Sequence, residues 1–318
     1  MNNYQNMLSN IVDKILNEQL KYRDTILIGD NSIGKSDLLK ELLIHSKNGE
    51  IYYLDTVNRR YLVENVEFEK KQKDIEYNQT IVETRLQERF FNVQDSFNVY
   101  GTLTEGIENL YPYYEEKVRK LFKEFLNVEF LIKRDIENYS MINGVVRRLS
   151  NGYQALIRIF FELEFYNDTV VKKENKSRYI FIIDEINECL TPNNACRLLT
   201  FIKEHYPQID FIVTTQSADV IVGTRDFNIV AILPHEKYEI LDTNDFDSII
   251  DANTLFIKTY PDNKRISQKQ EIDRELSRIF NNRISGELDS ADKDMLNKIK
   301  MMNLSKSQLV LLREIEEW

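Results

Sequence analysis

The run TILIGDNSIGKSD, Thr25 to Asp37, contains the residue types that hold a polyphosphate. Gly29 and Gly34 bracket Asp30, Asn31, Ser32 and Ile33, and Lys35, Ser36 and Asp37 follow directly. Glycines at this spacing let backbone N–H groups close around phosphate oxygens. The lysine sets a positive charge near the β- and γ-phosphates, and the serine offers its hydroxyl to Mg2+. The β-branched run before the loop and the helix-like DLLKELLIHS after it supply the strand and helix that the pattern requires. The expectation is ATP bound with Mg2+ by residues Gly29 to Asp37, with Ser36 on the metal.

A second group follows the apolar run YIFII, which delivers Asp184 and Glu185 at its end. Asp184 is placed to hold the water shell of Mg2+, and Glu185 to orient or deprotonate an attacking water. A third, IDFIVTTQS, ends in Gln216. The fourth, LSNGYQALIRIF, reads as a helix start: Ser150 or Asn151 caps the first turn, Gly152 eases the entry, and Ala155, Ile157, Ile159 and Phe160 form the buried side. The free N–H groups of such a start make an anion site.

These groups need a scaffold that brings strand ends together. FNIVAILP is a further short apolar run, and NNACRLLTFIKEHYP has helical apolar spacing at Ala195, Leu198, Leu199 and Ile202. Strands alternating with helices predict an α/β fold with a mostly parallel sheet, which binds ligands at the carboxyl edge of its strands.

With 318 residues, 42% of them hydrophobic, the chain can bury a large core. A net charge of -10 argues against wholesale coating of a nucleic-acid backbone, while Lys172, Lys173, Lys176 and Arg178 read as either a local basic groove or a solvated loop. Cys189 and Cys196 form no CxxC pair and read as reduced thiols. The opening MNNYQNMLSNIVDKIL lacks a long apolar stretch, and no run of about 18 apolar residues occurs, so a cytoplasmic protein without a membrane span is expected.

In chain order, the phosphate loop, LSNGYQ, the strand ending in Asp184-Glu185 and the strand ending TTQS resemble the P-loop ATPase domain of the ATP-binding-cassette superfamily. Its signature, LSGGQ, corresponds here to Leu149-Ser150-Asn151-Gly152-Tyr153-Gln154. The resemblance implies a head-to-tail homodimer. Two ATPs would be sandwiched between Lys35 of one subunit and Ser150, Gly152 and Gln154 of the other. It also makes Glu185 and Gln216 the catalytic residues and Asp184 a metal ligand.

IDEINECLTP resembles the IDE…LHP pattern of the soluble branch that includes SMC-like, overcoming-lysogenization-defect and Septu-like bacterial defence ATPases, and TTQS stands where that branch commonly has TTHS. What this implies is an ATP-hydrolysing switch that controls a separately encoded effector in anti-phage defence or DNA maintenance, with nucleic acid left open as a partner. An assembly module with little hydrolysis and a soluble cassette serving a membrane protein are the alternatives. Gln216 in place of the switch histidine keeps a hydrogen bond to phosphate but loses imidazole proton chemistry. A second departure is an N-terminal helical stripe at Met7, Leu8, Ile11, Val12, Ile15 and Leu16, where family members start with strands.

The ATPase domain is expected over residues 1–262, with a variable helical insertion at about 61–140. Gln87 and Gln94 are candidates there for a metal-sensing glutamine. Asn58, Arg59, Arg85 and Arg89 could read phosphate or a partner chain, or be solvated surface residues. Before the signature, NVEFLIKRDIENYSMINGVV reads as a strand pair with Asn143-Gly144 as a turn, and Arg147 and Arg148 either meet another subunit or decorate an edge. Residues 263–318 read as a helical subdomain, with helices near 266–282, 289–301 and 305–317. The last opens on Ser305…Gln308 and carries Leu309, Leu312 and Ile315 on one face.

Overall fold

The computed structural model describes residues 3–30, 33–45, 50–56, 59–69, 82, 83, 85, 106–259, 272, 275, 276, 278–280, 283, 290–302, 304 and 306–317. The chain opens with α1 (Asn3–Leu16), then β1 (Thr25–Ile28), α2 (Lys35–Ile44) and β2 (Ile51–Leu54). After the insertion come α3 (Tyr111–Leu126), strands β3 (Phe130–Arg134), β4 (Asn138–Ile142) and β5 (Val145–Val146), and α4 (Asn151–Tyr166). Next are β6 (Ile180–Ile183), α5 (Pro192–His205), β7 (Asp210–Thr214), the short α6 (Ala218–Val222), β8 (Asn228–Leu233) and β9 (Lys237–Asp242). The C-terminal part has α7 (Ile249–Thr259), α8 (Ser290–Lys300) and α9 (Lys306–Glu317).

The fold is α/β. The main sheet runs β2-β6-β7-β1-β8-β9, with every neighbouring pair parallel except β8 and β9. All residues of β1, β2, β6 and β7 are buried, as expected of a parallel sheet covered on both faces. The sequence reading did not anticipate β9. Its charged KYEILD lies at a sheet edge, where lysine and glutamate deter further pairing and weaken the apolar signal of a strand.

The N-terminal stripe forms a helix, and Met7, Leu8, Ile11, Val12 and Ile15 are buried, each side chain contributing about 1.5–3 kcal/mol. Arg178, expected in a groove or a solvated loop, does neither. It pairs with Asp210 at 2.5 Å and donates to the carbonyls of Ile15 and Arg23, fastening α1 to the sheet. Lys172 and Lys173 are exposed, as a solvated loop requires; Lys172 faces Asp168, and the half-buried Lys176 faces Glu174.

Ahead of α4 the expected strand pair has a third member. β3, β4 and β5 form an antiparallel sheet, and Asn143 and Gly144, at φ 48° and 78°, make the β4–β5 turn. A buried ionic cluster lies between α4 and β2. Glu162 on α4 accepts from Arg85 at 3.0 and 3.1 Å, Arg158 at 2.5 Å and the Tyr52 hydroxyl at 2.6 Å. Arg85 also donates to the Tyr53 carbonyl on the edge strand β2. Arg59 and Arg85 are therefore buried residues, not solvated ones, while Asn58, Gln87, Arg89 and Gln94 lie outside the described residues.

A second core gathers Ile272, Leu276, Ile279, Leu296, Ile299, Leu312 and Ile315. Leu309 does not join it and is 43% exposed, while Gln308 is buried. The buried stripe of α9 therefore runs 308, 312, 315, and Leu309 lies about 100° around the helix from Gln308. No helix of the described residues is long and apolar enough to cross a membrane.

Candidate functional site

Gly29 follows directly on β1, and a Cβ there would lie 2.7 Å from the Ile33 side chain and 3.3 Å from the Ile232 carbonyl, so the chain passes more easily without one. Gly34 caps α2 at φ 110°, the left-handed region that favours glycine. A Cβ there would meet the Tyr4 hydroxyl at 2.2 Å. Tyr4 on α1 also donates to Asp37 at 2.7 Å, so the N-terminal helix touches the first turn of α2 directly. Lys35 is buried; its ammonium donates to the carbonyls of Gly29 at 2.7 Å and Asp30 at 3.3 Å and stands 3.9 Å from Glu185 Oε1. Ser36 is half-buried in the first turn of α2, and Asn31 and Ser32 lie outside the described residues.

Both carboxylates follow β6, which β7 separates from β1 in the sheet. The parallel register pairs Ile183 with Val213, which sets Asp184 beside Thr214 at the carboxyl edge. The Thr214 hydroxyl donates to Asp184 Oδ1 at 2.6 Å and accepts the Glu185 N–H at 2.6 Å. Ile186 N–H reaches the Thr214 carbonyl at 3.0 Å, and the Thr215 hydroxyl reaches Asn187 at 2.6 Å. Gln216 donates its amide to Glu185 Oε1 at 3.1 Å. Arg59 donates to the Asp184 carbonyl at 2.7 Å.

Burial pushes the Asp184 carboxyl above the ordinary aspartate range, opposed by the Thr214 hydroxyl and Arg59. Glu185 is also raised by burial, opposed by the Gln216 amide and Lys35. Its backbone is left-handed at φ 49°, uncommon for a residue with a side chain.

At the signature stretch Ser150 is the N-cap of α4, its Oγ accepting the Tyr153 N–H at 3.3 Å, and it is exposed. Gly152 has a use within the chain: a Cβ there would lie 2.9 Å from the Cys189 carbonyl, in the loop that follows Glu185. Gln154 also works internally, accepting from Tyr61 N–H at 3.3 Å and donating to the Leu149 carbonyl at 3.1 Å. Arg147 and Arg148 are exposed.

The fold thus brings Lys35, Asp184, Glu185 and Gln216 together. Among the described residues no hydrogen bond joins them to Ser150, Gly152 or Gln154. Sequence reasoning missed Thr214, Thr215 and Tyr4. The threonines were legible in principle, because TTQS ends the strand that the parallel register sets beside the one bearing Asp184.

No protein-family model and no curated protein matches the sequence. Among solved structures the chain is similar to an SMC head bound to the C-terminal winged-helix domain of ScpA, at 16% identity and TM-score 0.30, over 40% of this chain and 40% of that one. It is similar to the SMC head domain from Thermotoga maritima at 17% identity and TM-score 0.31, over 43% of this chain and 50% of that one. A metal-chelate type ABC transporter in an inward-facing conformation is similar at 15% identity and TM-score 0.36, over 75% of this chain and 80% of that one. The chain therefore spans half or less of those two SMC head chains.

Proposed function

We propose that this chain binds and hydrolyses ATP and works as a molecular switch. ATP closes a head-to-tail dimer, hydrolysis reopens it, and the cycle controls a separately encoded effector. The observation that carries the reading is the convergence of the Lys35 ammonium, the Glu185 carboxylate and the Gln216 amide at the carboxyl edge of a parallel sheet. Lys35 would exchange the carbonyls of Gly29 and Asp30 for phosphate oxygens. Glu185, kept close to Gln216, would take a proton from the attacking water.

The donor set suits Mg2+, a hard cation that takes oxygen ligands. One Asp184 oxygen is engaged by Thr214, and the other accepts no hydrogen bond among the described residues. Ser36 and Asp184 would hold the ion, which would neutralise charge on the β- and γ-phosphates. Ser150, exposed on the first turn of α4, is the residue proposed to reach a second subunit's nucleotide. Gly152 and Gln154 would serve that contact by holding the helix start in place.

The proposed setting, cytoplasmic anti-phage defence or DNA maintenance, rests on the motif pattern, with nucleic acid a candidate partner. The test is size-exclusion chromatography of Glu185→Gln with and without MgATP, beside Glu185→Gln/Ser150→Arg. ATP should promote an association that Ser150→Arg abolishes; no ATP-dependent association rejects the sandwich. Gln216 lacks the proton chemistry of an imidazole, so an assembly module with little hydrolysis is the second reading. It requires wild type and Glu185→Gln to hydrolyse ATP equally.

A further inference from the structure

Thr214 is fully buried at the last position of β7, and its single hydroxyl serves both carboxylate residues. A threonine hydroxyl has one proton and two lone pairs, whereas a backbone N–H can only donate. The bond from Glu185 N–H therefore occupies a lone pair of Oγ1, and the proton goes to Asp184 Oδ1. One carboxylate oxygen is thereby engaged, while Oδ2 accepts no hydrogen bond among the described residues.

The same hydroxyl holds the backbone where the chain turns left-handed. Glu185 at φ 49° is tied by its own N–H to Thr214 Oγ1, and Ile186 N–H is tied to the Thr214 carbonyl. With the backbone so fixed, the Glu185 side chain comes within 3.9 Å of Lys35 and 3.1 Å of Gln216. β-Branching restricts χ1 on a strand, which suits threonine to aiming one hydroxyl at two partners.

We propose that Thr214 is the positioning residue of the hydrolytic centre: it presents Asp184 Oδ2 to the metal and fixes Glu185 between Lys35 and Gln216. The inference rests on the ATPase reading above. The near-isosteric Thr214→Val removes both bonds, and Thr214→Ser keeps a hydroxyl on a less restricted side chain.

The experiment compares wild type, both variants and Lys35→Ala in three measurements. These are amide hydrogen exchange over residues 184–188 without nucleotide, Mn2+ titration in the presence of ATP, and steady-state hydrolysis. Thr214→Val should speed exchange of the Glu185 amide about tenfold or more. It should weaken Mn2+ binding and lower kcat by about 10- to 100-fold, with KM for ATP within about threefold of wild type. Thr214→Ser should recover most of each loss. Wild-type exchange and turnover in Thr214→Val, or a serine variant no better than valine, overturns the assignment. If Lys35→Ala binds ATP as wild type does, the nucleotide reading fails instead, and the exchange data still decide the role of Thr214.

Discussion

Glu162→Leu would remove the acceptor from the buried cluster that fastens α4 to β2 and the insertion. Glu162 and its partners Arg85 and Arg158 are each 0% exposed, and Tyr52 completes the set. Stripping one member from a buried ion pair costs about 3–5 kcal/mol, because the surviving charge keeps its desolvation penalty. Here one carboxylate serves two guanidinium groups, so the upper part of that range, about 4–5 kcal/mol, is expected against a total stability of about 5–15 kcal/mol.

Burial alone would raise the Glu162 carboxyl, but Arg85 and Arg158 more than offset it and hold the group below the ordinary glutamate range. A depressed carboxylate stabilises the fold above its unfolded pKa, and that contribution is lost as pH falls through the folded value. The assay is urea unfolding followed by far-UV circular dichroism for wild type, Glu162→Leu, Glu162→Gln and the quadruple Tyr52→Phe/Arg85→Met/Arg158→Met/Glu162→Leu. The leucine variant should lose most. The quadruple should regain much of that loss, and the gap between wild type and glutamine should narrow on acidification. A cost below about 1 kcal/mol for Glu162→Leu, or a gap that ignores pH, refutes the reasoning.

Gly34→Ala combines a left-handed φ with a Cβ pressed on Tyr4, so titration with a fluorescent ATP analogue should show at least about tenfold weaker binding. Adding Tyr4→Ala relieves the clash but not the backbone, and full recovery in the double variant would assign the whole effect to Tyr4. Gly152→Ala drives a Cβ against the Cys189 carbonyl at 2.9 Å. It should cost about 1–3 kcal/mol despite a gain of about 1 kcal/mol in helix propensity, and a melting temperature at or above wild type contradicts this. Because burial raises Glu185, wild-type turnover should fall on the acid side at a higher pH than an ordinary glutamate would give. Its ionised form is disfavoured by folding, so Glu185→Gln should be more stable than wild type at neutral pH and lose that advantage on acidification, as paired melts would reveal.

The parallel core was legible because β1, β6, β7 and β8 are short apolar runs bounded by turn residues, and the stripe of α1 declared itself by spacing. Lys35, Asp184 and Glu185 were legible for the same reason, since each sits at the end of a recognisable strand or the start of a helix. Other features depend on contacts between distant segments. Nothing local marks Arg85 as a buried partner of Glu162, 77 residues away, or Tyr4 as the neighbour of Gly34. Gly152 and Gln154 show a different limit. The sequence marked them as unusual, but their hydrogen bonds and close contacts to Cys189, Tyr61 and Leu149 are intramolecular, a use that the motif alone did not disclose.

Cys189 is exposed, whereas Cys196 is half-buried with its sulfur packed on Gly223, and the chain has these two cysteines alone. In a Cys196→Ser background the remaining thiol becomes a unique attachment point four residues beyond Glu185, on the loop whose carbonyl rests against the start of α4. A small environment-sensitive dye there would give an optical readout, in real time, of the seam between the loop after Glu185 and the helix bearing Ser150.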